Sequence, residues 1–270
     1  MILRALIFDV DGTLADTEEV HRRSFNTAFQ RAGLDWAWSR ETYRELLKVN
    51  GGKERIASHI DSLMLREGAR KVLHGRIAEI HADKTRIYSG VVAAGRVPLR
   101  DGVARLLNEA RDTGCQLAIA STTTAANVDA LLQATLGPRG LEMFDVIACG
   151  DLVGAKKPAP DIYQLALSTL GVAPEEAIAF EDSVNGLRSA VGAGLWTVVT
   201  PTYWSEGGDF SDAALVLPRL GDPQQPLEGE PGGRLQQAAW LTMDELIARR
   251  TPPPAACAVR ALYMPEKASA

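Results

Sequence analysis

Two kinds of hydrophobic pattern alternate along the chain. Short apolar runs, typical of strands buried on both faces of a sheet, occur at residues 5–8, 116–120, 146–149, 177–180 and 195–199. Apolar positions spaced three and four apart, typical of helices, separate the later runs at 103–110, 162–170 and 184–191. The alternation predicts an α/β fold with a doubly wound parallel sheet, a Rossmann-like core joined by right-handed crossovers.

Residues 16–95, between the first two predicted strands, show helical spacing only. Apolar residues recur in this way around Phe25, around Tyr43 and around Ile56, and a longer helix is predicted with Leu73, Ile77, Ile80, Lys84 and Ile87 on one face. This change of pattern predicts an all-helical cap domain, residues 16–95, inserted into a core made of residues 1–15 and 96–217.

The C-terminal part, residues 218–270, shows no strand and helix alternation. Four prolines and four glycines fall among the 16 residues from 218 to 233, which is typical of a linker. Beyond it, Thr242 and Glu245 have the spacing of a capping box at the start of a short helix. We expect this tail to be peripheral and dispensable for chemistry.

Composition restricts the class of protein. The 270 residues are 46% hydrophobic, enough for a sizeable core, and the net charge of −5 argues against nucleic-acid binding. No apolar stretch has the length of a membrane span, and the N-terminus does not resemble a signal peptide. The three cysteines lack metal-ligand spacing. We therefore expect a cytoplasmic protein, a monomer, that acts on a small molecule.

The first predicted strand ends in two carboxylates, Asp9 and Asp11, followed by Gly12 and Thr13. In an extended chain, residues two apart project to the same side, so these carboxylates repel each other unless a cation lies nearby. Oxygen ligands of this kind suit Mg²⁺. The alternative is an acidic turn that only caps the following helix.

Three later segments of the core also carry polar or charged side chains that could form a site. Ser121 and Thr122 follow the second core strand, Lys156 and Lys157 precede a proline, and the segment 181–182 (Glu-Asp) follows another strand. Each has an ordinary alternative when considered alone: a helix N-cap, two solvated lysines and a solvated acidic turn.

The four segments occur in the order D-x-D-G-T, Ser, K-P-x-P-D and E-D-S-x-x-G, with the helical insertion between the first two. Over residues 1–200 this arrangement resembles the haloacid dehalogenase-like hydrolase superfamily. The short E-D-S-x-x-G-L form and the small cap resemble the branch of β-phosphoglucomutases, phosphoglycolate-type phosphatases and CbbY-type sugar bisphosphate phosphatases.

The resemblance implies a role for each motif residue. Asp9 is the nucleophile that becomes an aspartyl phosphate, and Asp11 is the general acid and base. Mg²⁺ is held by Asp9, the Asp11 backbone carbonyl and Asp182, with Glu181 beside it. Because superfamily dehalogenases lack the second carboxylate, Asp11 favours phosphate chemistry over halide displacement.

The same resemblance assigns the phosphoryl oxygens to Ser121, with Thr122 beside it, and to Lys157. Lys157 is preferred to Lys156 because the family motif has lysine directly before proline. Substrate selection is assigned to the cap, at Glu18, His21, Asn50, Gly51, Gly52, Lys53 and Arg55. A solvated helix start is the alternative for the two cations of that set.

Cap cations in an acidic protein suggest a substrate with a second phosphate. By resemblance to the CbbY-type phosphatases, the expected activity is Mg²⁺-dependent hydrolysis of a sugar bisphosphate such as xylulose-1,5-bisphosphate, a Calvin-cycle role. The sequence leaves open a phosphosugar mutase with the same catalytic residues. A non-enzymatic receiver domain also uses an aspartyl phosphate, but it has no helical insertion at this point.

Overall fold

The computed structural model describes residues 2–150, 152–227, 235 and 239–250. Six strands form one sheet: β1 (Ala5–Phe8), β2 (Gln116–Ser121), β3 (Val146–Cys149), β4 (Ala177–Glu181), β5 (Trp196–Val199) and β6 (Leu215–Val216). Every neighbouring pair is parallel, in the order β3-β2-β1-β4-β5-β6. The predicted parallel α/β sheet is confirmed. Strand β6 was not predicted, because two residues are too few to give a pattern.

Helices lie on both faces of this sheet. The helices from the C-terminal two thirds of the chain are α6 (Val103–Asp112), α7 (Ala125–Leu136), α8 (Asp161–Leu170), α9 (Val184–Gly192) and α10 (Met243–Arg250). The side chains of β1 point alternately to the two faces of the sheet. Leu6 and Phe8 enter the larger core cluster, whereas Ala5 and Ile7 enter the smaller one beneath α8. Both faces of β1 are therefore buried, as its continuous apolar run predicts.

The inserted region between β1 and α6 is helical, as predicted. It contains α1 (Glu18–Arg31), α2 (Arg40–Leu46), α3 (Gly52–Ser62), α4 (Glu67–Gly75) and α5 (Ile77–Ala93). The single longer helix predicted around Leu73–Ile87 is wrong, because the chain breaks at Arg76 into α4 and α5. Glycine is a poor helix former, and Gly75 immediately precedes this break.

Cap and core share side chains across their boundary. Tyr88 and Val92, on the second half of α5, are buried in the core cluster together with Leu14 and Val97. In the opposite direction, Trp204 extends from the core into the cap cluster. The cap is therefore packed into the core through these side chains as well as through its two chain connections.

The described part of the tail is not peripheral, which corrects the sequence-based expectation. Leu220, Leu227, Leu241, Met243 and Leu246 are all buried in the larger core cluster. The predicted helix start is present, since the Glu245 N–H donates to Thr242 Oγ1 at 3.1 Å.

Arg105 of α6 holds the tail by donating to the carbonyls of Gly221 and Leu241, at 2.9 and 2.8 Å. The buried leucines have no regular spacing, so their packing left no periodic signal in the sequence. Residues 228–233 of the predicted linker and residues 251–270 lie outside the described residues. Among the described helices, none is both long and apolar enough to cross a membrane.

Candidate active site

The candidate site lies where β1 and β4 end side by side. Phe8 is in register with Phe180, and the Asp9 N–H donates to the Phe180 carbonyl at 3.0 Å. Asp9 therefore leaves the sheet next to the acidic pair 181–182. Gly12 has φ 89°, and a Cβ built there would lie 2.3 Å from Asp182 Oδ2. Glycine is required at this turn for both reasons, and the missing side chain lets the two acidic segments meet.

One buried ammonium group connects these acidic segments. Lys157 Nζ donates to Asp9 Oδ1 at 2.7 Å and to Glu181 Oε1 at 2.6 Å. The hydroxyl of Tyr163 also donates to Glu181 Oε1, at 2.7 Å. Burial alone would lower the pKa of Lys157, but Asp9 and Glu181 outweigh burial and raise it. Lys157 is therefore held protonated.

The carboxylates at this edge have the composition of a divalent-cation site. Asp9, Glu181 and Asp182 each offer an oxygen, and these atoms lie within 4.8 Å of one another. Burial raises the pKa of Asp9 to about 7, although Lys157 opposes this shift. Burial, with Glu181 and Asp9, also raises the pKa of Asp182 well above its ordinary value. A divalent cation would favour the ionised forms of these oxygen donors, so the residues fit such an ion.

The side chain of Asp11 lies against the cap instead. Its Oδ1 accepts from Thr17 Oγ1 at 2.5 Å and lies 2.9 Å from His21 Nε2. Lys84 Nζ lies 2.5 Å from His21 Nδ1. Because an ammonium group can only donate, Nδ1 accepts and Nε2–H donates to Asp11.

This chain of donors keeps Asp11 ionised. Burial favours a higher pKa for Asp11, but His21, Thr17 and Lys84 outweigh burial and lower it. Burial lowers the pKa of Lys84 to about 8. The sequence pattern predicts only that Lys84 lies on one face of a helix. The available signal was a lysine among apolar positions of an amphipathic helix.

The predicted phosphate-binding residues lie on the neighbouring strand. Ser121 ends β2 and is buried, and together with Thr122 it lines the cavity between cap and core. Ser121 is not a helix N-cap, which was the ordinary alternative for this segment. Thr124 has extended backbone (ψ 153°), so α7 begins at Ala125. Thr124 also lines the cavity, and its hydroxyl is buried with no hydrogen-bond partner among the described residues.

The two adjacent lysines have different partners. Lys156 Nζ donates to Glu54 Oε1 of the cap at 2.7 Å, and only Lys157 reaches Asp9. The preference for Lys157 therefore agrees with its position at the carboxylates. Asn50 Nδ2 donates to the Lys157 carbonyl at 2.7 Å, so the predicted cap loop contacts the same segment.

The other predicted cap residues line a cavity of about 770 Å³ between cap and core: Glu18, His21, Gly51, Gly52, Lys53 and Arg55. The Tyr43 hydroxyl joins two of them, because it donates to Glu18 Oε2 at 2.7 Å and accepts from Arg55 at 2.9 Å. Arg55 is buried by these contacts, whereas Lys53 is exposed.

Several residues that line the same cavity were not predicted from the sequence. His81 faces Gly52, where a Cβ would lie 2.4 Å from His81 Nε2. Burial and the neighbouring lysines lower the pKa of His81 to about 4, so it is neutral near pH 7. The segment 204–208 lines another wall. Its sequence, W-S-E-G-G, contains no pattern that distinguishes it from an ordinary loop.

Comparisons with known proteins identify the family of this chain. The family model for haloacid dehalogenase-like hydrolases matches residues 3–194. Protein CbbY of Rhodobacter capsulatus is 52% identical over 220 residues, which cover 82% of this chain and 95% of that protein. A CBBY-like protein of Arabidopsis thaliana is 40% identical, and the match covers 82% of this chain and 70% of that protein.

Solved structures give the same result. The crystal structure of CbbY from Rhodobacter sphaeroides in complex with phosphate is 48% identical, with a TM-score of 0.74. A mutant of that protein in complex with xylulose-(1,5)bisphosphate gives a TM-score of 0.75 at the same identity. Each match covers 81% of this chain and 95% of the other. The resemblance inferred from the four motifs is thus confirmed, and the chain belongs to the haloacid dehalogenase-like hydrolases.

Proposed function

We propose that this phosphatase hydrolyses a sugar bisphosphate, with Mg²⁺ as cofactor and Asp9 as the nucleophile. Xylulose-1,5-bisphosphate is the proposed substrate. Support comes from the relative of 48% identity whose crystal structure contains that compound. The proposal depends most on one observation of this chain: core and cap both contribute cationic side chains to one cavity.

On the core side, Lys157 lies against Asp9, with Ser121 on the next strand. On the cap side, Lys53 and the buried Arg55 line the cavity. A sugar with a phosphate at each end would place its reacting phosphate at the core and its second phosphate at the cap. Charge-assisted hydrogen bonds to the second phosphate would then hold the sugar in a single orientation.

The reaction transfers the phosphoryl group to Asp9 and then to water. An Asp9 oxygen forms a bond to phosphorus while the bond from phosphorus to the sugar oxygen breaks, and Asp11 protonates that oxygen. Water then cleaves the aspartyl phosphate after Asp11 removes its proton. The lowered pKa of Asp11 supports the second step, in which it would act as a base.

Mg²⁺ would be held by Asp9, Asp182 and the Asp11 backbone carbonyl, and it would neutralise charge on the phosphoryl oxygens. Lys157 contributes a second positive charge from the protein. Its contacts with Asp9 and Glu181 also keep the attacking carboxylate in place.

Phosphate release from xylulose-1,5-bisphosphate and from xylulose 5-phosphate, each with Mg²⁺ and with EDTA, tests the proposal. We expect a higher kcat/KM for the bisphosphate and no turnover with EDTA. Equal values for the two sugars would contradict the bisphosphate assignment. Conversion of β-glucose 1-phosphate to glucose 6-phosphate without phosphate release would instead show a mutase.

A further inference from the structure

A loop of the core domain enters the cap directly after β5. In this loop, Trp204 is only 5% exposed and belongs to the cap cluster rather than to the core clusters. Its ring meets Tyr43 edge to face, with 5.6 Å between centroids. The Arg40 guanidinium of α2 lies over its ring at 5.2 Å. We call residues 202–208 the clasp segment.

Further contacts hold the clasp segment on α2. Arg40 lies over the Tyr203 ring at 4.3 Å, and Arg44 lies over the same ring at 5.5 Å. Arg44 also donates to the Glu206 carbonyl. Cations over aromatic faces are attracted to the ring quadrupole. The cap therefore holds this core loop through both apolar and charged contacts.

The next residue of the clasp segment faces the opposite way, toward the acidic site. Ser205 Oγ lies 3.2 Å from Asp182 Oδ2. Ser205 Oγ also accepts a hydrogen bond from the Thr202 N–H at 3.0 Å, so the hydroxyl proton of Ser205 is available to donate to Asp182. The Trp204 N–H donates to Thr202 Oγ1 at 3.2 Å. Two adjacent residues of one hydrogen-bonded turn thus make different contacts: Trp204 contacts the cap, and Ser205 contacts a candidate metal ligand.

We propose that Trp204 is a positioning residue that couples cap closure to the Asp182 carboxylate. When Trp204 is seated in the cap, Ser205 is held where its hydroxyl stabilises ionised Asp182. When the cap withdraws, Trp204 loses Tyr43 and Arg40, and Ser205 is free to leave Asp182. The proposal rests on the proposed Mg²⁺ site, because Asp182 is one of its ligands.

The coupling is reciprocal. If a closed cap improves Asp182 as a ligand, then bound Mg²⁺ favours the closed cap by the same factor. The enzyme would therefore hold its metal most tightly when the substrate is enclosed. A purely structural Trp204, filling apolar space in the cap, would affect cap stability but not the metal affinity.

Calorimetric titration of Mg²⁺ into the substrate-free full-length protein tests the coupling without using activity. Removal of an outer-shell partner typically weakens metal binding by about 10–100-fold. We expect a loss of about that order for Ser205→Ala, and a loss in the same direction for Trp204→Ala. Trp204→Phe keeps an aromatic ring for Tyr43 and Arg40 and should retain the wild-type affinity.

Trp36→Ala is the matched control. Trp36 packs in the same cap region, 5.3 Å from the Phe29 ring, but belongs to the cap itself. We expect it to lower the melting temperature without changing the Mg²⁺ affinity. If Trp204→Ala does not fold, Trp204→Leu keeps apolar volume without the ring and should show the weakened binding.

Four outcomes would overturn the coupling. Two are a wild-type Mg²⁺ affinity in Ser205→Ala, and a wild-type Mg²⁺ affinity in whichever of Trp204→Ala and Trp204→Leu folds. The other two are a loss of Mg²⁺ affinity in Trp204→Phe, or in Trp36→Ala, as large as the loss in Trp204→Ala. These outcomes leave the proposed function intact. A wild-type protein that binds no Mg²⁺ would overturn the metal site and the coupling with it.

Discussion

The Lys157 ammonium lies 2.7 Å from Asp9 Oδ1, although 148 residues separate the two in sequence. Both groups are buried, so each depends on the other for its charge to be tolerated. The contact places a fixed positive charge beside the carboxylate that would attack phosphorus.

Asp9→Asn should abolish phosphate release, because the neutral amide is a poor nucleophile and a weaker metal ligand. The amide keeps the size of the side chain, so sugar bisphosphate binding measured by calorimetry should persist. Turnover by this variant at a rate near that of the wild type would contradict the assignment of Asp9.

Asp11→Asn should lower kcat by about 10²–10⁴-fold, the usual contribution of a positioned acid or base. The amide cannot exchange a proton with the leaving oxygen or with water. Asp16→Asn changes an exposed carboxylate of the same loop and is the control. Equal rates for the two variants would show that Asp11 has only a structural role.

The stabilisation by Mg²⁺ should increase as the pH rises from about 5 to about 8. In the metal-free protein, the pKa of Asp9 is raised to about 7, from 3.8. The folded state then binds more protons than the unfolded state, so the stability contributed by this group falls as the pH rises through about 7. Asp182, whose pKa is also raised, acts in the same direction. Mg²⁺ binds the ionised carboxylates and removes this loss.

Thermal melting with and without Mg²⁺ across this pH range measures the effect. His81 opposes the trend, because burial lowers its pKa to about 4 and stability from this group rises with pH. Its contribution is present with and without Mg²⁺, so the difference between the two curves isolates the carboxylates. A difference that stays constant with pH would argue against metal binding at Asp9 and Asp182.

Lys53→Ala should raise KM for the bisphosphate and leave monophosphate hydrolysis nearly unchanged, because Lys53 would contact only the second phosphate. Lys71→Ala removes an exposed lysine from α4, which does not line the cavity, and controls for net charge. Steady-state kinetics with both sugars makes the comparison. Equal effects of the two variants would remove the role of Lys53.

Leu246→Ala should destabilise the protein by about 2–5 kcal/mol, since its side chain is fully buried in the core cluster. Ile247→Ala, on the same helix but 38% exposed, should cost about 0.5 kcal/mol or less. Denaturant unfolding of both variants tests whether α10 is part of the core. Equal small effects would restore the original expectation of a peripheral tail.

The sequence predicted those parts of the fold that leave a local pattern. The strand 5–8 is a continuous apolar run ending in carboxylates, and both its burial and its place in the middle of the sheet follow from that pattern. Parallel strands bring their carboxyl ends to one edge. The proximity of Asp9 to the segment 181–182 was therefore predictable.

Contacts that depend on tertiary packing were not predictable. Nothing near Trp204 or Ser205 in the sequence indicates that one enters the cap and the other meets Asp182. The same is true of Arg100, which donates to the Gly12 carbonyl from the end of the cap's return connection. Side chains of this kind are recognisable only when the elements that they join are already placed.

The second half of α5 lies in the core cluster, through Tyr88 and Val92, although the helix begins in the cap. The two domains are consequently not exchangeable modules with a border at residues 16 and 95. A graft that replaced the whole insertion would expose Leu14 and Val97, which pack in the same cluster. Recombination of caps among relatives should instead retain the second half of α5 with the recipient core.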